Sequence, residues 1–163
     1  MSSYTAALQD FYKGEVLGEA YYLAILGSAR SDDERLKIAT LLQLETETKA
    51  WLRAPMVAQG VSIEEQAAVR EEAIAIAERV KPLSWPEHME ALREAITTEY
   101  VPRYQSHAHA ARARGRADEE AACLYMVEHE KAQVEFTRRE LAGASLGQSL
   151  EPLVRFLRYP IKR

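Results

Sequence analysis

The stretch FYKGEVLGEAYY, residues 11–22, belongs to a run with the spacing of an amphipathic helix, yet it places Glu15 on the apolar face. Residues three and four apart share one side of a helix, so steps from Leu8 through Phe11 and Glu15 to Tyr22 stay on that side. We therefore expect Glu15 to face inward. A buried, unpaired carboxylate is costly, so it requires a cation, a hydrogen-bond network or a metal.

The composition suits one helical domain. The chain has 163 residues, of which 47% are hydrophobic and 28% charged, enough for a single substantial core. Seven glycines and six prolines, with runs rich in Ala, Glu, Leu and Arg, favour helices over a β fold with many turns. We expect an all-α protein. Its formal net charge of −4 gives no electrostatic reason to expect nucleic acid as a partner.

Cysteine content and hydropathy restrict the classes further. Cys123 is the only cysteine, which excludes an intramolecular disulfide and a four-cysteine zinc or iron–sulfur site. The first fifteen residues include polar and acidic side chains and lack the apolar core of a secretory signal. No run reaches about 18 uninterrupted apolar residues, so we expect no membrane span. A cytoplasmic location follows as the expectation.

Helix boundaries can be predicted from capping signals. The first helix is expected over about residues 3–26. Ser31 and Glu34 have the spacing of a capping box and start a second helix, which should end before Gly60. Ser62 and Glu65 repeat that spacing and predict a connecting helix that ends near residue 81.

The second half of the chain shows the same signals. Ser84 and Glu87 form a third box and start a long helix, kinked by Pro102. Asp118 is the expected N-cap of a fourth long helix. A long helical connection between the second and third of these helices predicts a four-helix bundle with one crossover over residues 1–143. Residues 144–163 are expected to form a tail with room for one short helix.

Polar residues interrupt the apolar faces of the other long helices as well. Glu45 does so in the second helix, Glu99 or its neighbour Tyr100 in the third, and His129 in the fourth. We predict an inward cluster of Glu15, Glu45, Glu99 and His129. Carboxylates with one imidazole suit a hard or borderline divalent ion such as iron, manganese or zinc.

These features resemble the ferritin-like superfamily, which includes ferritins, rubrerythrins and di-iron carboxylate oxygenases, over residues 3–142. The order Glu15, Gly18, Tyr22 is similar to that family's first-helix pattern of Glu, small residue and aromatic residue. The resemblance implies a Glu from helices one and three and Glu-x-x-His from helices two and four. Thr48 and Ala132 stand at the two histidine positions, although Glu128 or Glu130 could shift the register of the fourth helix.

The resemblance also implies a function. A ferritin-like protein with a degenerate carboxylate and histidine site is expected to be an iron- or manganese-dependent oxidoreductase that activates oxygen or peroxide. Tyr22 is the catalytic candidate, as the source of a hydrogen bond or an electron. A rubrerythrin proper is not expected, because one cysteine cannot build its rubredoxin-like iron site. A homodimer is expected, because bundles of this kind commonly pair through a helix face.

Two interpretations without a metal stay open. Glu15 and Glu45 would then belong to a structural network with His129 or Arg103, in a ferritin-like bundle that serves as a binding or interaction module or as a plain scaffold. Thr48 and Ala132 favour a metal-free bundle. The retained Glu15, Glu45 and Tyr22 favour a metal. His88, near the start of the third long helix, is expected at the surface.

Overall fold

The computed structural model describes residues 3–161, which are helical with no β-strand among them. This confirms the all-α prediction. The helices are α1 (Ser3–Leu26), α2 (Asp32–Ala58), α3 (Ala67–Val80), α4 (Trp85–Ala95), a π-helical segment (Ile96–Tyr100), α5 (Val101–Ala113), α6 (Ala117–Leu141) and α7 (Leu146–Val154). Residues 1, 2, 162 and 163, which fall within the predicted 1–143 bundle and 144–163 tail, lie outside the described residues.

The helices pack as a bundle of two hairpins. A short turn joins α1 to α2, and the two helices pack along their length. In the second hairpin, α4, the π-helical segment and α5 follow one another without a break and pack against α6. The hairpins meet where α1 contacts α5 and α6. Residues 59–84, which include α3, connect the hairpins, and α3 lies across α1.

The core consists of two apolar clusters separated along the bundle. One contains Phe11 and Val16 of α1 with Met126 of α6, and the other contains Ile25 of α1 with Phe136 of α6. Both are formed by side chains at helical spacing, as amphipathic helices require. Between them lies a layer of buried polar side chains: Glu15, Glu45, Thr48, His129, Glu130 and Gln133.

Two of the three predicted capping boxes mark helix starts. The Ser31 hydroxyl accepts from the Glu34 amide, and Ser84 and Glu87 form a complete box. The predicted capping box of Ser62 and Glu65 was wrong. The Ser62 hydroxyl accepts from the Glu64 amide, and α3 begins only at Ala67.

The Glu65 carboxylate does not cap the backbone, because Lys49 and Arg70 bind it. The predicted N-cap at Asp118 was also wrong by two residues. Arg116 occupies the N-cap of α6, and Asp118 lies in the first turn, where its charge suits the helix dipole.

The π-helical segment explains how the third long helix accommodates Pro102. Proline has no amide hydrogen, and its ring clashes with the carbonyl four residues earlier in an α-helix. The helix accommodates the proline by a wider turn, in which the Val101 amide donates to the Ile96 carbonyl five residues before it. The inward face consequently passes through Ile96, Tyr100 and Tyr104, four residues apart.

The chain after Gly143 returns to the bundle. α7 packs against α6 and α2, and its Leu150 and Leu153 are buried in the same cluster as Phe136. Beyond it, the Arg158 amide donates to Glu47 of α2 at 2.5 Å. None of the helices in residues 3–161 is long and apolar enough to cross a membrane.

Candidate metal centre

Glu15 lies at the centre of the polar layer. Its position on the apolar face of α1 buries it completely. Neither of its carboxyl oxygens has a hydrogen-bond partner among the described residues. A buried polar atom left without a partner costs about 1–3 kcal/mol, so apolar packing alone does not explain why this carboxyl group is buried.

Glu45 reaches the layer from α2 because α1 carries a glycine opposite it. A Cβ built on Gly18 would lie 2.7 Å from the carboxyl carbon of Glu45, closer than side chains tolerate. The absence of a side chain at Gly18 therefore gives the carboxylate its place. The Gln133 side-chain amide of α6 donates to Glu45 Oε1 at 2.8 Å and fixes its orientation.

His129 faces both carboxylates from α6. Its Nε2 lies 3.7 Å from Glu15 Oε2 and 3.7 Å from Glu45 Oε1, and its Nδ1 lies 3.7 Å from Glu130 Oε1. The side chain is fully buried, and neither ring nitrogen has a hydrogen-bond partner in the described part of the chain. All three separations are too long for hydrogen bonds, and the two at Nε2 suit atoms that share a cation.

Glu15, Glu45 and His129 each present one ligand atom, and these atoms lie within 4.8 Å of one another. The unsatisfied atoms point to an occupant, and two carboxylates with an imidazole are ligands that iron, manganese and zinc accept. The residues present thus fit a single divalent ion.

Burial of Glu15, Glu45 and His129 disfavours their charged forms. Burial raises the pKa of Glu15 well above its usual range, and the charges of Glu45 and Glu130 raise it further. Burial also raises the pKa of Glu45 to about 8, although the neighbouring His129 lowers it. For His129, burial opposes a positive charge, but Glu130 and Glu45 outweigh it and raise the pKa. Raised pKa values of this kind mean that protons occupy part of this group near neutral pH.

Tyr22 lies beside this group and is linked to it through one residue. Its hydroxyl donates to Gln133 Oε1 at 2.7 Å, and the amide of the same Gln133 donates to Glu45. Gln133 thus links the Tyr22 hydroxyl to the Glu45 carboxylate by two hydrogen bonds. Burial raises the pKa of the Tyr22 phenol well above its ordinary value, so the phenol keeps its proton.

The structure does not bring Glu99 to this group. Glu99 is exposed in the π-helical segment, and Tyr100 takes the inward position instead. The looser winding before Pro102 rotates Glu99 away from the layer. Its side chain lines a cavity next to the layer, which is a different role from that of a ligand to the Glu15, Glu45 and His129 group.

Glu130 and Gln133 are the polar residues that the predicted cluster lacked. Both are buried, and their i and i+3 spacing puts them on one face of α6. That spacing is visible in the sequence, but the apolar stripe of the fourth helix passes through the neighbouring His129. Thr48 and Ala132 are buried and lie outside the three-residue group. Arg103, the alternative partner of the carboxylates, pairs with Asp10 at 3.0 Å.

A cavity of about 260 Å³ adjoins the polar layer. Glu45, Glu130 and Gln133 line one side of it, and Arg79 and Glu99 supply further charged side chains. The remaining walls are mainly apolar and aromatic, with Leu17, Tyr22, Ile76, Leu92, Ile96 and Tyr100 among them. A mostly apolar cavity with a few convergent polar groups is typical of a small-molecule site.

Comparison of the chain with protein-family models, with curated proteins and with solved structures found no match.

Proposed function

We propose that the chain is a ferritin-like, metal-dependent oxidoreductase with one iron site formed by Glu15, Glu45 and His129. The observation that carries the proposal is the convergence of these three buried side chains, four of whose polar atoms lack a hydrogen-bond partner in residues 3–161. A cation would satisfy them together. A purely structural network would satisfy them with one another, since half-satisfied buried networks are destabilising.

A single ion suits the site better than a dinuclear centre. The ferritin-like dinuclear arrangement uses four carboxylates and two histidines. Here Gln133 occupies the i+3 position after Glu130, Thr48 occupies the corresponding position after Glu45, and the third long helix turns Glu99 outward. Manganese and zinc fit the same ligands. Iron is preferred because the buried Tyr22 beside the site suits redox chemistry.

The residues around the three ligands have distinct roles in this account. Glu15 and Glu45 neutralise the charge of the cation, and Gln133 holds Glu45 in place. Glu130 faces Nδ1 of His129 and favours the tautomer that leaves Nε2 free to coordinate. Iron held by these residues would supply activation of oxygen or peroxide. The apolar walls of the cavity would hold a small organic substrate beside it.

The fold supports the proposal as an analogy only, because one fold hosts many functions. The helical bundle, the crossover that contains α3 and the inward Glu residues on α1 and α2 are features expected of a ferritin-like protein. A homodimer and a cytoplasmic location stay predictions from the sequence.

A metal-free binding module is the second candidate. The observation that favours it is the hydrogen-bond chain from Tyr22 through Gln133 to Glu45, which is complete without a cation. In that case the cavity beside Glu45 would bind a small molecule, and the carboxyl groups would stay protonated in part.

Oxygen consumption tests the oxidoreductase proposal. Protein loaded with ferrous iron under argon is mixed with aerated buffer, and its oxygen uptake is compared with that of Glu15→Gln and Glu128→Gln. The proposal predicts that Glu15→Gln reduces uptake to that of free iron, while Glu128→Gln, a control at an exposed residue of α6, retains it. Equal uptake by all three proteins would contradict the proposal, because the iron would then react outside the site.

A further inference from the structure

Aromatic side chains connect the polar layer with the surface at the α1 and α4 side of the bundle. The connection begins at Glu45, where Gln133 links the carboxylate to the Tyr22 hydroxyl. The ring of Tyr22 meets that of Tyr21 edge to face, with a centroid separation of 5.1 Å. Both tyrosines are buried. The next partner lies on another helix.

Tyr21 is hydrogen bonded to His88 of α4, through its hydroxyl and the imidazole Nε2. His88 is buried, which makes the expectation of a surface position wrong. The signal for it is absent from the local sequence, because its partner lies 67 residues away. Burial lowers the pKa of His88 to about 4 against a smaller opposing effect of Glu34, so at neutral pH the imidazole has no positive charge.

Trp85 continues the connection to the surface. Its ring lies edge to face against His88, with centroids 5.8 Å apart, and the side chain is partly exposed. The indole nitrogen donates to Glu140 Oε2 at 2.7 Å, and Lys37 Nζ pairs with the same oxygen at 2.6 Å. These contacts hold the indole in one orientation at the end of the series.

The chemistry of phenols gives Tyr21 and Tyr22 different capacities for losing an electron. A tyrosine loses an electron at an accessible potential only if its proton leaves at the same time, so it needs a base at hydrogen-bond distance. Tyr21 has such a base in the neutral imidazole of His88. Tyr22 donates to an amide oxygen, which is a very weak base, so an oxidised state does not persist there.

We propose that Trp85, Tyr21 and Tyr22 form a route for single electrons between the surface and the carboxylate and histidine site, with His88 as the acceptor of the Tyr21 proton. When a one-electron oxidant removes an electron from Trp85, an electron passes from Tyr21 to Trp85 and the phenolic proton passes to His88 Nε2. Neutral Trp85, a neutral Tyr21 radical and a His88 imidazolium result. Reduction by ascorbate returns one electron to Tyr21, and the proton returns from His88.

The use of this route by the protein rests on the proposed function, because the route then carries single electrons from a donor at the surface to oxidised iron. The transfer between Trp85 and Tyr21 does not depend on a metal. It is therefore tested in metal-free protein, so that failure of the route and failure of the iron site are distinguishable.

The chain contains a natural contrast in its other tryptophan. Trp51 contacts Tyr125, with ring centroids 4.5 Å apart, and is 40% exposed. The next ring beside Tyr125 is that of Phe156, which has no acidic proton and cannot take part in proton-coupled electron transfer. Because the sequence has two tryptophans, Trp51→Phe leaves Trp85 as the sole indole. All the variants below carry this background substitution.

Transient absorption after a laser flash tests the route, with a ruthenium polypyridyl photo-oxidant and persulfate as the final electron acceptor. The background protein is expected to convert the Trp85 radical into a tyrosyl radical, more slowly in heavy water. Tyr21→Phe should abolish this conversion and prolong the Trp85 signal. The signal of the Tyr21→Phe variant also measures the radicals that form directly on exposed tyrosines such as Tyr159, which is 68% exposed, so that they can be subtracted.

Three matched variants separate transfer from general structural effects. His88→Gln keeps a hydrogen-bond acceptor but removes the base, so it should abolish the tyrosyl radical while thermal unfolding shows a folded protein. Tyr22→Phe should leave that radical in place, because Tyr21 retains the oxidised state. Tyr125→Phe should have no effect. Conversion that survives Tyr21→Phe, or that is the same in His88→Gln as in the background, would overturn the proposal.

Discussion

Gly18 controls the site at the scale of a single residue. Its lack of a side chain admits the Glu45 carboxylate, so Gly18→Ala should push Glu45 away and weaken metal binding. We expect an affinity loss of about tenfold or more, which corresponds to at least about 1.4 kcal/mol. Anaerobic titration with ferrous iron or manganese measures it.

Gly147 provides the control for that substitution. It also lies in a helix, but a Cβ there would meet no atom within 4 Å. Gly147→Ala should leave metal affinity unchanged. Equal affinities in both alanine variants would show that Glu45 does not need the space above Gly18.

His88 makes stability depend on pH. Its pKa is lowered by burial to about 4, whereas an unfolded histidine titrates near 6.5, so between these values the unfolded chain binds more protons. Stability should therefore fall as the pH drops from about 6.5 to 4, by up to about 1.4 kcal/mol per pH unit from this residue. Urea unfolding of metal-free wild type and His88→Gln at several pH values measures the contribution.

The variant should lose less stability than the wild type over that pH range, because glutamine does not titrate. The comparison cancels the other titrating groups, including Glu15 and Glu45. Parallel pH profiles for the two proteins would mean that His88 is hydrated and protonated in the folded state.

At the scale of the helices, one ion-pair cluster attaches the crossover to the bundle. Lys49 of α2 pairs with Glu19 of α1 at 2.5 Å and with Glu65 before α3 at 2.6 Å, and Arg70 of α3 pairs with both carboxylates. Lys49 is buried, so Lys49→Met leaves two partly buried carboxylates that share the single positive charge of Arg70. We expect a loss of about 1–3 kcal/mol in the free energy of unfolding.

Lys131 is the matched control, because its pair with Glu128 is exposed on both sides. Lys131→Met should change stability little, as exposed pairs contribute little. Urea unfolding compares the two variants. If Lys49→Met costs no more than Lys131→Met, the cluster does not hold the crossover in place.

The helices show which structural features local sequence signals determine. Regular apolar spacing in α1 and α2 placed Glu15 and Glu45 inward, and both are buried. Spacing failed at Glu99, because the π-helical segment before Pro102 changes the register by part of a turn. It failed at Glu65 as well, since charged residues of α2 and α3 bind a carboxylate that a capping box would use.

For the molecule as a whole, the helical class and the order of long helices followed from composition, capping signals and breaks at glycine. The contacts between distant segments did not. Tyr21 with His88, and Tyr22 with Gln133, depend on how the two hairpins pack, which periodicity within one helix does not contain. The inclusion of α7 in the core depends on the same packing.

Iron content after anaerobic loading tests the central claim at this scale, that the polar layer binds one metal ion. Untagged wild type, Glu15→Gln, His129→Gln and Glu99→Gln are loaded with ferrous iron under argon, freed of unbound metal and measured by elemental analysis. We predict about one iron per chain in the wild type and in Glu99→Gln, and almost none in Glu15→Gln and His129→Gln. Iron-free wild type, or iron retained after both ligand substitutions, would contradict the account.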